Sequence, residues 1–176
     1  MFTIQELTDR ENILIGQIHG VVGSMEEKAL QLTDNGVFNS YRKLHSDYAS
    51  LAWTGNIEAL KRAFFIQWYA NAEPACFTGI HELDKDIEIV VFDQVAKLIN
   101  LDDELKWMTA WYYLISDNYF EPFWSNPSII KSLQSYIQEI GSLTDQAILS
   151  DEPLENRGQM GDYFMSVLKS NRSRAK

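Results

Sequence analysis

The sequence has few of the residues that cross-link or interrupt a polypeptide chain. Its single cysteine, Cys76, excludes a disulfide within the chain and a zinc site built from cysteines alone. Only four prolines and nine glycines occur in 176 residues, whereas short strands joined by turns need frequent breakers. The scarcity of these residues favours an all-α fold.

Basic residues are also few, with 15 Lys and Arg against 25 Asp and Glu and a net charge of −10. Non-specific nucleic-acid binding depends on neutralising phosphates with Lys and Arg, so this balance argues against it. No apolar run approaches the roughly 20 residues of a membrane helix, and the first residues, MFTIQELTDREN, lack the pattern of a secretory signal. We therefore expect an acidic cytoplasmic protein that binds neither nucleic acid nor a membrane.

Apolar residues recur with helical spacing in several separate segments. The pattern predicts helices from Ser24 to Asn35–Gly36, over Val37–Trp53, over 57–72, from Asp84 or Asp86 to about Ile99, from Asp102 to about Tyr119, from Asn126–Pro127 to Gly141, over 144–149 and over Asp162–Leu168. Residues 151–161 are predicted to form a loop. The first apolar segment, Ile13–Val22, contains glycines that weaken a helix, so both a helix and a strand fit it.

These segments predict an all-α, single-domain bundle of six to eight helices over residues 1–168, followed by a basic tail over 169–176 that we expect to be disordered. The helices over 57–72 and 102–119 are rich in aromatic residues and apolar around most of their circumference, which places them at the centre. Three dipeptides recur 43 to 48 residues apart between these two regions. This weak repeat leaves a short α–α superhelix of stacked helix pairs as the alternative.

No catalytic or metal-binding motif is present. None of the three histidines follows a Glu at the three-residue spacing of di-iron bundles, and the segment HELDKD around Asp84 lacks the Gly and Glu of an EF-hand. Cys76 and His81 are close in sequence, but no third group orients them as a nucleophile and base. We therefore assign no catalytic residue, metal or cofactor, and a non-enzymatic role is favoured.

Aromatic residues are concentrated in one region, since 15 of the 22 fall between Trp53 and Trp124. Their helical spacing favours a solid core, but polar side chains on the same faces would also suit a ligand pocket. The candidate ligand-binding residues are Gln67, Trp68, Asn71, Glu73, Trp111 and Asn118. Glu73 is expected to be buried, which would raise its pKa and make it the best acid–base candidate.

Acidic residues cluster over 82–104, where eight acidic residues stand against two basic ones. The first functional hypothesis is therefore a protein-interaction module, an inhibitor or immunity-type protein for a basic partner, or one that binds a second copy of itself. The alternative is a small-molecule-binding or enzymatic helical domain with an aromatic pocket around Trp68, Glu73 and Trp111. A solid core with an exposed apolar patch beside 82–104 would favour the first.

Overall fold

A computed structural model describes residues 2–99, 102–123, 130–131, 134–135 and 154–174, and no strand occurs among them. The helices are α1 (Ile4–Gly20), α2 (Met25–Asp34), α3 (Val37–Trp53), α4 (Ile57–Ala72), α5 (Ala75–Thr78), α6 (Lys85–Leu98), α7 (Asp103–Ile115) and α8 (Gly158–Arg174), with a 3₁₀ helix over Asp117–Phe123. The predicted all-α fold is confirmed.

The predicted starts of α2, α4, α6 and α7 are confirmed because their capping residues act locally. Ser24 Oγ accepts a hydrogen bond from Glu27 N at 3.2 Å, and Glu27 Oε2 accepts one from Ser24 N at 2.7 Å, which completes the capping box of α2. Asn56 caps α4, and the carboxylates of Asp84 and Asp102 accept backbone hydrogen bonds at the starts of α6 and α7. These side chains satisfy amide groups that the first turn of a helix leaves without partners.

The apolar segment that fits either a helix or a strand belongs to α1. A capping box between Thr3 and Glu6 begins this helix, and it continues to Gly20. Leu7, Leu14 and Ile18 are buried on one side of it, at the spacing of an amphipathic helix. The local cap and this one-sided burial outweigh the helix-weakening glycines.

α4 lies at the centre of the bundle. Every residue from Ala59 to Trp68 is buried, and α4 packs against α3, α6, α7 and α8. The second aromatic-rich helix, α7, buries Trp107, Met108 and Tyr112 to 1% exposure or less. Because neighbours surround α4 on several sides, the molecule is a bundle around central helices and not a row of stacked helix pairs.

Three predicted helix boundaries are wrong. α7 ends at Ile115 instead of continuing to about Tyr119, because Ser116 leaves the helical conformation at φ −151° and ψ 76°. α8 begins at Gly158, so residues 158–161 are helical and do not belong to a loop. It continues to Arg174 and thus includes most of the segment predicted as a basic tail.

The predicted helix from Asn126–Pro127 to Gly141 lies mostly outside the described residues. Residues 130, 131, 134 and 135 are described, and they are helical. The short helix predicted over 144–149 lies wholly outside the described part. Within the described ranges, no helix combines the length and the hydrophobicity that crossing a membrane requires.

Candidate functional site

The predicted aromatic pocket is a packed core at its two tryptophans. Trp68 is 1% exposed, and its ring stacks on Tyr112 with 4.3 Å between centroids. The Trp111 ring stacks on Trp107 at 5.5 Å, and its Nε1 donates to Tyr163 Oη at 3.0 Å. Stacked and tilted rings fill this region, so the interpretation of the aromatic residues around Trp68 and Trp111 as core is confirmed.

Gln67 is fully buried, and its amide is occupied by protein groups. Its Oε1 lies 3.2 Å from His45 Nε2, and its Nε2 donates to Tyr119 Oη at 2.6 Å. Burial lowers the pKa of His45 to about 4, so the imidazole is neutral at pH 7. Because Gln67 Oε1 can only accept, Nε2 is the protonated ring nitrogen of His45. The side chain of Gln67 therefore joins α3, α4 and the 3₁₀ helix.

Three other predicted site residues are exposed. Asn71 Nδ2 donates to the backbone oxygen of Gln67 at 2.8 Å. The expected burial of Glu73 is wrong, because the chain leaves α4 there in an extended conformation that carries the side chain into solvent. Asn118 accepts from Ser116 Oγ at 2.7 Å, and it does not lie beside the tryptophans because α7 ends before it. The six predicted residues do not converge on one site.

A buried ionic network joins α4, α7 and the residues preceding α8. Arg157 donates to Glu58 Oε1 at 2.9 Å, to Glu58 Oε2 at 2.5 Å, and to Glu104. Lys61 Nζ lies 2.5 Å from Glu104 Oε2 and 3.0 Å from Asp102 Oδ1. Burial opposes ionisation of Glu58, but the hydrogen bonds and charge of Arg157 outweigh it and lower the pKa of that carboxyl. The paired charges hold distant parts of the chain together.

Glu11 is a buried carboxyl that caps the start of α8. Its Oε2 accepts from Tyr48 Oη at 2.8 Å, and its Oε1 accepts from the backbone nitrogen of Gln159 at 3.0 Å. Burial nevertheless raises the pKa of Glu11 above its ordinary value. The carboxyl lies so close to Gly158 that a Cβ there would overlap it. Glu11 is part of α1, so this contact holds the start of α8 against α1 although the two helices lie at opposite ends of the sequence.

Cys76 and His81, which are close in sequence, differ in exposure. Among the described residues, no group of three or more His, Cys, Asp or Glu side chains is placed to hold a metal ion. His81 Nε2 lies 3.4 Å from Glu82 Oε1, and both side chains are largely exposed. Cys76 is buried in α5. The carboxylate of Asp84 accepts backbone hydrogen bonds at the start of α6.

An apolar groove of about 410 Å³ lies on the surface between α3 and α6. The side of α3 contributes Ser46, Ala49, Ser50 and Trp53, and the side of α6 contributes Asp86, Ile87 and Val90. Trp53 is 70% exposed and Val90 41% exposed. The groove therefore places an exposed aromatic ring beside the first half of the acidic segment 82–104.

No family model, curated protein or solved structure matches the chain. Trp53 is not among the predicted site residues, although the periodicity of α3 indicates that its side chain faces outward. Trp53 follows the buried Leu51 by two positions, which turns it by about 200° away from the buried side of the helix.

Proposed function

We propose that the protein is an interaction module, and that the groove between α3 and α6 binds a basic amphipathic helix of a protein partner. The exposure of Trp53 supports this most directly. Trp68 and Trp107 are each 1% exposed within a packed aromatic core, whereas Trp53 is 70% exposed at the rim of a groove. Tryptophan is enriched among the residues that dominate binding energy in protein interfaces.

The shape of the groove suits a helix. Ser46, Ala49, Ser50 and Trp53 follow the spacing i, i+3, i+4 and i+7, so they lie on one face of α3. Because three of these side chains are small, that face is recessed, and the large ring of Trp53 lies at its end. An amphipathic helix binds such a surface by placing apolar anchors at the same spacing into the groove.

The charge beside the groove selects a basic partner. Asp86, Val90 and Asp93 lie on one exposed stripe of α6, at offsets of four and seven residues. Neither carboxylate has an ion pair within the described ranges. α3 ends at Trp53 with no basic residue in its last turn. Lysine or arginine flanking the apolar anchors would complement this surface.

Two of the eight acidic residues of 82–104, Asp86 and Asp93, would act in this interface, whereas Asp102 and Glu104 belong to the buried ionic network. An inhibitor or immunity-type role would use the groove to cover a basic surface of its target, and the acidic stripe would raise the rate of encounter. In this arrangement the core only holds α3 and α6 in register. The groove supplies affinity through Trp53 and specificity through Asp86 and Asp93.

Site-specific photo-crosslinking in cells of the source organism tests the proposal. A photoreactive residue at Val90 leaves Trp53 intact, and one at Ile13 is the matched control, because Ile13 is a 65% exposed apolar residue on α1. We expect crosslinks from position 90 to one protein, mapped to a basic amphipathic segment. Trp53→Ser and Asp86→Lys should each reduce the yield at least tenfold, since interface hot spots contribute about 2 kcal/mol or more.

Three results would contradict the proposal. The first is an equal yield from positions 13 and 90, which would indicate non-specific contact. The second is a crosslink from position 90 to another copy of this chain, which would make the groove a homodimer interface. The third is a partner whose crosslinked segment is acidic, or whose yield is insensitive to Asp86→Lys.

A further inference from the structure

A second cavity, of about 180 Å³, lies where α1, the end of α4, α5 and the first turns of α8 meet. Ligand sites for drug-sized molecules occupy roughly 300–1,000 Å³, so this cavity suits a smaller compound. Its lining combines aliphatic residues of α1 with aromatic and polar side chains. None of these residues belongs to the groove between α3 and α6.

Aromatic rings form much of the cavity wall. The rings of Tyr69 and Tyr163 meet edge to face with 5.6 Å between centroids, and Phe77 lines the cavity from α5. Burial, followed by the charges of Glu73 and Asp162, raises the pKa of Tyr69 to about 12, so its hydroxyl stays neutral at pH 7. Neutral aromatic faces attract cations through their quadrupole.

Gln159 supplies a buried polar group to the same cavity. It is 9% exposed, and its Nε2 donates to Tyr41 Oη at 2.5 Å and to the backbone oxygen of Thr78 at 2.7 Å. Both amide hydrogens are therefore used, while Oε1 has no hydrogen-bond partner in the described part of the chain. This oxygen is not a fully buried atom, so solvent or a ligand can reach it; because an amide oxygen can only accept, such a ligand would donate a hydrogen bond or carry positive charge.

The charges around the cavity favour a cation. Asp162 lines the cavity and has no ion pair among the described residues, and Glu73 acts on both tyrosine rings. One positive group lies beside the cavity, Lys28, whose Nζ is 5.3 Å from the Phe77 centroid, and His19 also lines the cavity. Because Lys28 already contacts the Phe77 ring, the rings of Tyr69 and Tyr163 are the ones left for a cationic ligand.

The start of α8 offers few free groups that could bind an anion. A helix N-terminus ordinarily attracts anions through its free amide groups and its dipole. Here the carboxyl of Glu11 accepts from the backbone nitrogen of Gln159 at 3.0 Å and occupies that position. The remaining recognition elements are aromatic faces, a carboxylate and an amide oxygen.

We propose that this cavity binds a small organic ammonium compound, with Tyr69 and Tyr163 against the cationic group and Asp162 as its counter-charge. Gln159 Oε1 accepts a hydrogen bond from the ligand. The site is separate from the proposed interaction surface, and neither proposal depends on the other.

Binding of defined probes to the full chain tests this inference. Choline, tetramethylammonium and butylamine are titrated at millimolar concentration beside the uncharged carbon analogue of choline, and NMR shifts of residues lining the cavity report occupancy. We expect at least one ammonium probe to bind about tenfold more tightly than the uncharged analogue, as a desolvated cation–π contact predicts. Asp162→Asn, an exposed position, should weaken that probe severalfold without affecting folding.

Tyr163→Leu removes one aromatic wall and should abolish binding, whereas Tyr163→Phe keeps the ring and should retain most of it. Trp53→Ser, in the other groove, is the matched control and should leave the affinity unchanged. Equal binding of the charged and uncharged probes would overturn the proposal. So would the absence of shifts with all three ammonium probes, or an affinity that Asp162→Asn and Tyr163→Leu leave unaltered.

Discussion

Arg157 donates to both carboxylate oxygens of Glu58, which lies 99 residues earlier, at distances of 2.9 Å and 2.5 Å. This two-point contact suits the planar guanidinium and not the single ammonium group of lysine. Glu104 accepts further hydrogen bonds from the same side chain. Arg157 therefore connects the residues that precede α8 to both central helices.

Replacing Arg157 tests how much this network contributes to the free energy of unfolding. Arg157→Met leaves Glu58 and Glu104 without their shared partner, so we expect the free energy of unfolding to fall by about 3–5 kcal/mol in urea denaturation. Lys43→Met is the matched control, because Lys43 is 63% exposed while it pairs with Asp47. An exposed pair contributes at most about 1 kcal/mol. Similar losses in both variants would contradict a structural role for the buried network.

The buried imidazole of His45 predicts an acid-dependent loss of stability. Burial lowers its pKa from 6.5 to about 4, so the unfolded chain takes up a proton at a higher pH than the folded chain. The contribution of neutral His45 to the free energy of unfolding is therefore complete above about pH 6.5. It decreases as the pH falls towards 4, by up to roughly 3 kcal/mol.

Urea denaturation of the wild type and of His45→Asn between pH 4 and pH 8 measures this dependence. The difference between the two proteins isolates His45, because other buried groups, including Glu11, are present in both. We expect the stability advantage of the wild type to shrink as the pH falls. A difference that stays constant over this range would show that His45 titrates normally in the folded protein.

The aromatic residues divide into core and surface, and two tryptophans test that division. Trp68 is 1% exposed and stacks on Tyr112, so Trp68→Ala should cost about 3–5 kcal/mol through the lost contacts and the resulting cavity. Trp53 is 70% exposed, and Trp53→Ala should change stability by no more than about 0.5 kcal/mol. Circular dichroism during urea denaturation measures both. A large loss in Trp53→Ala would place that ring in the core and remove it from the proposed interface.

Local signals explain which parts of the fold the sequence could predict. The caps at Ser24, Asn56, Asp84 and Asp102 act within three residues, so a single segment contains the whole interaction. The periodicity of α4 similarly identified a helix that is buried on most sides. Exposure at a helix end cannot be predicted from such a local pattern. Glu73 follows the same apolar run, and yet it lies outside the core because the chain changes direction there.

Long-range partners explain most of what the sequence could not predict. Arg157 and Gln159 lie in a stretch rich in turn-forming residues, and neither contributes to an apolar pattern. Their partners Glu58 and Glu11 precede them by 99 and 148 residues. Charge complementarity between such distant positions has no characteristic spacing, so the buried network and the ammonium site appear only once the helices are packed.

The start of α8 offers a sharp test of the contact with Glu11. Gly158 has φ +60°, and a Cβ there would overlap the Glu11 carboxyl, so Gly158→Ala should lower the unfolding free energy by at least about 1 kcal/mol. Gly16→Ala is the matched control, since Gly16 lies within α1 and no atom approaches its Cβ position within 4 Å. That substitution should stabilise the protein by about 0.5–1 kcal/mol, because alanine favours the helix. If Gly158→Ala proves as stabilising as Gly16→Ala, Glu11 does not cap α8.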